Sequence, residues 1–395
     1  RLNITAQFIP VRDLIIDINI EKQFGKSYSE LYKDTLGNSN LVHLSPYVTG
    51  TFNVTYISFQ TLFDKFKPNS VTETFRRFES NRIILSKRMA SSNQYWKDLA
   101  PADQQLPDGY YTGYGRYAQD VLIPSFIAAY TNKDPNKVGL IKQENGDIKS
   151  NPFSSIIPKP NWHVTYNGLT RIEGMEKIFS NFSVSHGYTS NVSMNSFNNN
   201  LMYQDPLSYN MPGFIDTATG SFYPYFLVPN ISISEQFAPL LSVDMQFTNQ
   251  LSIRAEYKKS RTLSLSLVDY QLSESRSEGI VIGIGYRKRG LKLPFKFKLP
   301  GMKQSADQLS NDLNFKIDLG LQDDATANSR LDQSVATPTN GQKVITINPS
   351  IDYVLNNRIN LKLYFDQRRT EPKISTSAPI TTTRAGLQIR VSLAQ

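Results

Sequence analysis

Cysteine is absent from the chain, and only three histidines and two tryptophans occur in 395 residues. Without cysteine the chain is no disulfide scaffold. The absence fits an exported protein, though cytoplasmic chains lack cysteine too. Charged residues reach only 19% and apolar residues only 39%, both below the usual soluble-domain shares of about a quarter and about 45–50%. Long hydrophobic runs are missing as well. Apolar stretches such as Val121–Ile123 and Phe126–Tyr130 fall far short of the roughly 20 residues of a spanning helix. What fills the chain instead is Ser, Thr, Asn and Gln, with 21 Tyr and 22 Phe, too many aromatics for a disordered segment. The first residue is Arg1, with no Met, charged n-region or h-region, so a mature form or an excised piece is expected.

The dominant signal is alternation with a period of two. Ala385, Leu387, Ile389, Val391 and Leu393 share one face, opposite Arg384, Gly386, Gln388, Arg390 and Ser392. Leu313, Phe315, Ile317, Leu319 and Leu321 likewise oppose Asp312, Asn314, Lys316, Asp318 and Gly320, and Leu251, Ile253, Ala255 and Tyr257 oppose Ser252, Arg254, Glu256 and Lys258. Such segments are strands with one greasy and one wet face. A soluble sandwich alternates too. Three details favour a membrane barrel: full charges of both signs on the wet faces, alternation over roughly 9–11 residues, and connections of two sizes, short and long. The fold class expected is therefore all-β with a helical insertion, part of a transmembrane antiparallel β-barrel; that the barrel is a very large one is what the family resemblance below implies.

Strands are expected near 2–10, 13–24, 42–60, 161–169, 177–190, 229–247, 251–269, 279–288, 309–321, 343–355, 358–368 and 381–393. The turn at Asn356–Asn357 sets one side of the membrane, and loops 322–341, 191–227 and 61–160 fall on the other. The same parity puts the short turn Val11–Asp13 on the long-loop side and 25–41 on the short-turn side. That conflict points to one mis-split strand in the first 60 residues. The chain thus divides into barrel strands 1–60, a folded insertion 61–160 and barrel strands 161–395. Within the insertion, 70–90 reads as a helix capped by Ser70, with Glu73 completing a capping box. Residues 116–130 read as a second helix, kinked at Pro124. With Trp96, Tyr114, Asp120 and Pro124 among its residues, the insertion is expected to form an extracellular cap hung above the lumen between two crossing strands.

Motifs for catalysis are lacking. His43, His163 and His186 are scattered, and there is no HExxH, Walker A or GxSxG. Gly113–Ala118 matches GxGxxA formally but follows a Pro-Asp-Gly turn, not a strand. The sequons at Asn3, Asn53, Asn181, Asn191 and Asn230 are expected by chance in so Asn- and Ser-rich a chain. The basic stretch Arg287–Lys303 reads as a solvated turn rather than a nucleic-acid module. Carboxylates such as Asp312, Asp318 and Glu256 read as paired lumen charges rather than a hydrolytic pair. Phe365, Tyr257 and Tyr286 read as an interfacial girdle rather than sugar platforms. No catalytic, cofactor or metal residue is assigned; the lumen-facing candidates are Arg384, Gln388, Arg390, Asp312 and Asp318.

Several longer stretches resemble one family. They are Gln119-Asp120-Val-Leu-Ile-Pro124-Ser-Phe-Ile-Ala-Ala-Tyr130, Asp134-Pro135-Asn136-Lys137-Val138-Gly139, Pro160-Asn161-Trp162-His-Val-Thr-Tyr166-Asn-Gly168-Leu169, Tyr257-Lys-Lys-Ser-Arg261-Thr-Leu-Ser-Leu and Ile389-Arg390-Val-Ser-Leu. Together they resemble the C-terminal barrel part of the SprA/Sov family, the outer-membrane translocon of the type IX secretion system, also called the gliding-motility secretion protein. The ending Val-Ser-Leu-Ala-Gln395 lacks the terminal aromatic of many outer-membrane barrels, which fits that family better than a generic porin. The resemblance implies a passive conduit in the Gram-negative outer membrane. It would pass folded cargo proteins that carry a C-terminal targeting domain. Implied partners are a shuttle-type barrel at a lateral opening, a periplasmic plug protein and outer-membrane lipids, without nucleic acid and without a cofactor. A porin or transporter for small solutes is the rival reading, and a barrel hydrolase the remoter one. The segment by itself is expected not to close a barrel.

Overall fold

The computed structural model describes residues 1–35, 37, 41–97, 104–143, 151–291, 312–333, 335–356, 359–374 and 378–391. Strands dominate: β1 Leu2–Phe8, β2 Leu14–Asp34, β3 Leu41–Thr55, β4 Asn161–Tyr166, β5 Phe179–Asn199, β6 Phe226–Leu227, β7 Asn230–Phe247, β8 Leu251–Ser266, β9 Gln271–Lys288, β10 Asp312–Arg330, β11 Ala336–Asn356, β12 Ile359–Pro372 and β13 Ile380–Val391. They form one antiparallel 13-stranded sheet in the order β1-β2-β3-β5-β7-β8-β9-β10-β11-β12-β13, with β4 between β2 and β5 and β6 beside β5. β1 and β13 do not pair with each other, so the sheet is open among the described residues.

β3 and β4 together make one crossing. β2 pairs β3 through Lys22–Asp34 and β4 through Leu14–Asn19. β5 does the same from the other side, meeting β4 through Val184–Tyr188 and β3 through Asn191–Asn198. The chain therefore leaves the sheet after Thr55 and re-enters the same strand track at Asn161. This corrects the expected placement of the insertion between two crossings. Counting one crossing instead of two also moves the turn at Val11–Asp13 to the side of the short turn Thr248–Gln250, which removes the parity conflict. Asn357 and Leu393, and Lys292, Lys296, Lys298 and Lys303 of the basic stretch, lie outside the described residues.

Many strands run well past the expected bounds. β2 continues to Asp34, β5 to Asn199 and β10 to Arg330, and β11 already begins at Ala336. In the upper halves of β10 and β11 the alternation of apolar and polar residues stops, while the backbone ladder continues through Asp323–Ser329 and Gly341–Ala336. Pairing needs no apolar side chain, so hydropathy cannot see it.

The inserted residues form a body around two helices, α1 Glu73–Ser92 and α2 Gln119–Tyr130. α1 is capped by Thr72, whose side chain accepts from the Phe75 amide, not by Ser70. Phe75, Phe78, Leu85 and Met89 of α1 are buried. α2 is apolar on nearly all sides and buried from Asp120 to Tyr130, with Pro124 inside it. A helix hydrophobic all round belongs in a core. It packs into a cluster with Phe52, Val54, Val192, Met194, Ile231, Ile233, Leu263 and Leu265 of the sheet.

Candidate functional site

Register assigns every strand residue to one of two faces. One face carries an apolar belt: Ile4 and Ala6 in β1, Ile16, Ile18 and Ile20 in β2, Val243 and Met245 in β7, Ile253 and Ala255 in β8, Ile282 and Ile284 in β9, Leu313–Leu321 in β10, Ile347 and Ile351 in β11, Leu361 and Leu363 in β12, and Leu387 and Ile389 in β13. These side chains are not covered by protein: Ile282 is 39% exposed, Leu363 52% and Leu387 63%. A contiguous exposed apolar surface across so many strands far exceeds what a water-facing monomer presents. In β10 the belt runs from Leu313 to Leu321, nine residues, which matches the roughly 9–11 residues of a tilted membrane-crossing strand.

The belt runs obliquely to the hydrogen-bond rows. One row passes through Leu14, Tyr166, Val184, Val243, Ala255, Ile282, Leu319, Ile347 and Gln367. At β2 it lies at the lower margin of the belt, at β9 within it, and at β12 above it, where the belt is Leu361, Leu363 and Phe365. Strands that cross a level apolar band at a tilt produce this slippage, and barrel strands tilt by about 35–45°.

The opposite face is mainly polar, with Ile15, Val281, Val344 and Val354 as apolar exceptions. It carries all five lumen-facing candidates. Asp312 forms a close ion pair with Arg287, and Asp318 accepts from Lys316 at 2.7 Å. Arg384 lies opposite Asp366, Gln388 opposite Lys362 and Arg390 opposite Asn360. Glu256 is held by Arg254 at 3.2 Å and Lys258 at 3.0 Å. Arg254, Glu256, Lys258, Arg287 and Asp318 line an open furrow of about 880 Å³ together with Asp244 and Lys316. Glycines at 279, 283 and 285 thin the wall there: a Cβ on Gly283 would approach Asp318 Oδ1 to 2.9 Å, and one on Gly285 Ser252 Oγ to 2.5 Å.

The inserted body sits on the belt face, above the belt, and not on the polar face. Every sheet residue that it covers shares the belt's phase, including Phe52, Val54, Ile233, Leu263 and Leu265. The expectation of a body hung over the lumen is corrected accordingly. The reason lies in the upper half of that face, where Leu263, Leu265 and Leu272 continue the apolar phase of β8 and β9 and need a cover.

A buried charge cluster fastens the body down. Glu235, Arg261 and Arg276 stand opposite one another across β7, β8 and β9. Arg261 and Glu235 form a close ion pair, both side chains fully buried. Ser58 Oγ and the Tyr188 hydroxyl donate to Glu235 Oε2 at 2.6 and 3.1 Å. Arg261 donates to Thr61 O at 2.9 Å and Thr61 Oγ1 at 2.8 Å. Arg276 donates to Glu274 at 2.7 Å and to the carbonyls of Leu62 and Asp64 at 3.0 and 2.6 Å. Two arginines on adjacent strands thus satisfy the carbonyls of the first turn of the insertion, a buried loop that would otherwise leave them orphaned. Neither the cluster nor its partner Ser58 was singled out in the sequence. The available signal was Lys259 and Arg261 interrupting the apolar phase of β8.

The cap candidates gather inside the body. Trp96 and Tyr114 both pack on Phe222, with ring centroids 5.6 and 5.2 Å apart. Tyr114 accepts from Asn93 at 2.9 Å. Asp120 is fully enclosed in the first turn of α2, where burial raises its pKa to about 7, opposed by a hydrogen bond from Gln143 at 2.6 Å. Pro124, one turn on, has no amide to offer the Asp120 carbonyl. His186 Nδ1 lies 2.7 Å from the Leu240 carbonyl, and among the described residues no three His, Asp or Glu side chains converge on a metal-sized site. No helix among them is long and apolar enough to cross a membrane. No family model and no curated protein matches the chain.

Proposed function

We propose that the chain is a wall segment of an outer-membrane protein-conducting barrel, the translocon of type IX secretion, with its belt toward lipid and its polar face lining a wide aqueous conduit. The observation that carries this reading is the oblique apolar belt on a sheet whose other face is mainly polar and carries charges of both signs. Mixed, mutually paired charges suit a water-filled passage for folded proteins, which must slide without sticking. Eleven crossings that leave both edges unpaired call for further strands to complete the wall, since lipid tolerates no open edge; the very large size of the barrel is taken from the family resemblance. The resemblance to the SprA/Sov family supplies the cargo class, proteins with a C-terminal targeting domain, and the partners, a shuttle barrel and a periplasmic plug. The inserted body would stand on the extracellular side, outside the wall.

The test is secretion in the native host. Gly283→Arg and Gly285→Arg, on the conduit face, displace only the side-chain ends of Asp318 and Ser252, so they should leave the protein assembled and slow the release of folded cargo while small solutes still cross. Unchanged secretion, or loss of small-solute uptake alone, would contradict the reading.

A further inference from the structure

A cavity of about 530 Å³ opens where the upper end of the sheet meets the inserted body, within the roughly 300–1,000 Å³ of small-ligand sites. Its walls are the end of β5 at Asn198 and Asn200, the loop 216–224, the turn 267–270 between β8 and β9, and residues 117–119 at the start of α2. These walls are fixed in place. Phe222 anchors the loop by packing on Trp96 and Tyr114. Asp216 closes the loop on itself, accepting from the Ala218 amide at 3.0 Å and the Thr219 hydroxyl at 2.9 Å. Those two bonds hold its carboxyl below the usual carboxylate range, so it is ionised. Gln119 ties α2 to the sheet, accepting from the Val228 amide at 3.1 Å and donating to the Phe226 carbonyl.

Aromatic rings form one side of the cavity. Tyr117 and Tyr270 pack ring on ring, with centroids 4.5 Å apart. Tyr270 has a φ of 50°, a conformation that favours glycine or asparagine, so the turn carries a ring where a small residue would be unstrained. Leu227 and the exposed Val268 extend the apolar surface. Around it stand polar groups that are neither engaged nor sealed. Asn198 donates through Nδ2 to the Asn199 carbonyl at 3.3 Å, which leaves Oδ1 to accept. Asn200 accepts the Met202 amide on Oδ1 at 3.0 Å, which leaves Nδ2 to donate. The hydroxyls of Tyr117 and Tyr270 have no hydrogen-bond partner among the described residues and are open to solvent. No Lys, Arg or His lines the cavity, and Arg330, whose charge is felt at Tyr117, is held by Asp332 through two bonds of 2.9 Å. An anion, which only accepts, would find no counter-charge here. A cation, which only donates, would face the Asn200 amino group. The mixture of donors and acceptors matches hydroxyl groups, which do both.

We infer that this cavity binds a neutral saccharide, with the apolar face of a sugar ring against Tyr117 and Tyr270 and its hydroxyls shared among Asn198, Asn200 and the Asp216 carboxylate. A carboxylate accepting from a hydroxyl makes a charge-assisted bond, stronger than a neutral one, and Asp216 keeps lone pairs for it beyond the two bonds that shape the loop. The turn at Tyr270 stands about 40 Å of strand above Ala255 of the belt. On the proposed membrane placement that is clear of the headgroup layer, so the sugar is free or carried on a chain that reaches out from its anchor. The saccharide assignment itself stands on the lining of the cavity and does not depend on the conduit reading.

The test is saturation-transfer NMR on the full-length protein in detergent. The probes are short neutral oligosaccharides of glucose, mannose, galactose and N-acetylglucosamine, with choline, citrate and an unglycosylated Gly-Ser-Asn peptide beside them. At least one saccharide should bind, with saturation strongest on the protons of one ring face. Tyr270→Gly removes the ring at a φ that suits glycine, so the turn stays folded while binding weakens by about tenfold. Asn200→Ala should weaken it by about fivefold, the worth of one hydrogen bond. Tyr47→Ala, exposed on β3 and outside the cavity, should change nothing. Polysaccharide freed from the host's outer membrane by mild acid, and glycans released from its secreted proteins, compete in separate arms, which tells a membrane-borne chain from a protein-borne one; competition by either supports the inference. No saccharide bound in any arm, binding unaltered in both cavity variants, or preference for choline, citrate or the peptide would overturn it and leave the conduit reading intact.

Discussion

Arg261 and Glu235 are charges taken wholly out of water, and a buried pair is a fragile kind of fastening. Its net worth is small because desolvation offsets attraction, but removing one partner strands the other. Arg261→Met should cost about 3–5 kcal/mol, seen as earlier protease cleavage around residues 56–66 of the inserted body. Adding Glu235→Leu should recover part of that loss, since the orphaned carboxylate is gone, while the Thr61 carbonyl stays unsatisfied. No recovery would mean that the turn contacts, not the ion pair, hold the body. Asp120 is the second sensitive residue. Its folded pKa of about 7 lies above the ordinary value of 3.8, so the folded body binds the extra proton. Stability from this group is full below about pH 4, falls as pH rises through the window from 3.8 to about 7, and stays reduced above it. The body should therefore resist protease better at pH 5 than at pH 8, and Asp120→Asn should flatten that difference.

At the scale of elements, a strand is readable from sequence only where its two faces differ. The belt segments Leu313–Leu321 and Ala385–Val391 alternate clearly and were legible, as were the two helices, from their apolar stripe and run. The upper halves were not. In Asp323–Arg330 and Thr337–Lys343 both faces are polar, and the ladder that joins them is backbone alone. The interrupted crossing β3–β4 was hidden for another reason: no local signal distinguishes a strand that ends from one that pauses for an inserted body, and only the pairing of both pieces with β2 and β5 joins them. The five polar-face candidates were legible because phase within a strand suffices to place them. The Arg261–Glu235 cluster was not, because it depends on what covers the sheet. Phase also makes a prediction. If the belt faces lipid as proposed, Ile282→Arg, near its middle, should destabilise the protein in lipid by about 2–4 kcal/mol, whereas Val281→Arg, one residue away and opposite Glu256 on the polar face, should cost little. Urea unfolding of the full-length protein in lipid measures both; equal costs would refute the assignment of faces.

As a whole, the molecule is an open antiparallel sheet with a body seated on one face of it. The inserted helices cover only the upper part of the belt face, so the polar face is left clear along the sheet, and the apolar belt is left uncovered by this chain. That division of faces is the central claim, and aqueous labelling tests it most directly. Single cysteines in place of Ile282, Ile317 and Ile389, and of Val281, Asp318 and Arg390, go into the full-length protein in its native membrane, to be exposed to a water-soluble maleimide. The account predicts rapid reaction at 281, 318 and 390 and protection at 282, 317 and 389; equal reaction at neighbouring positions, or protection of the polar set, would contradict it.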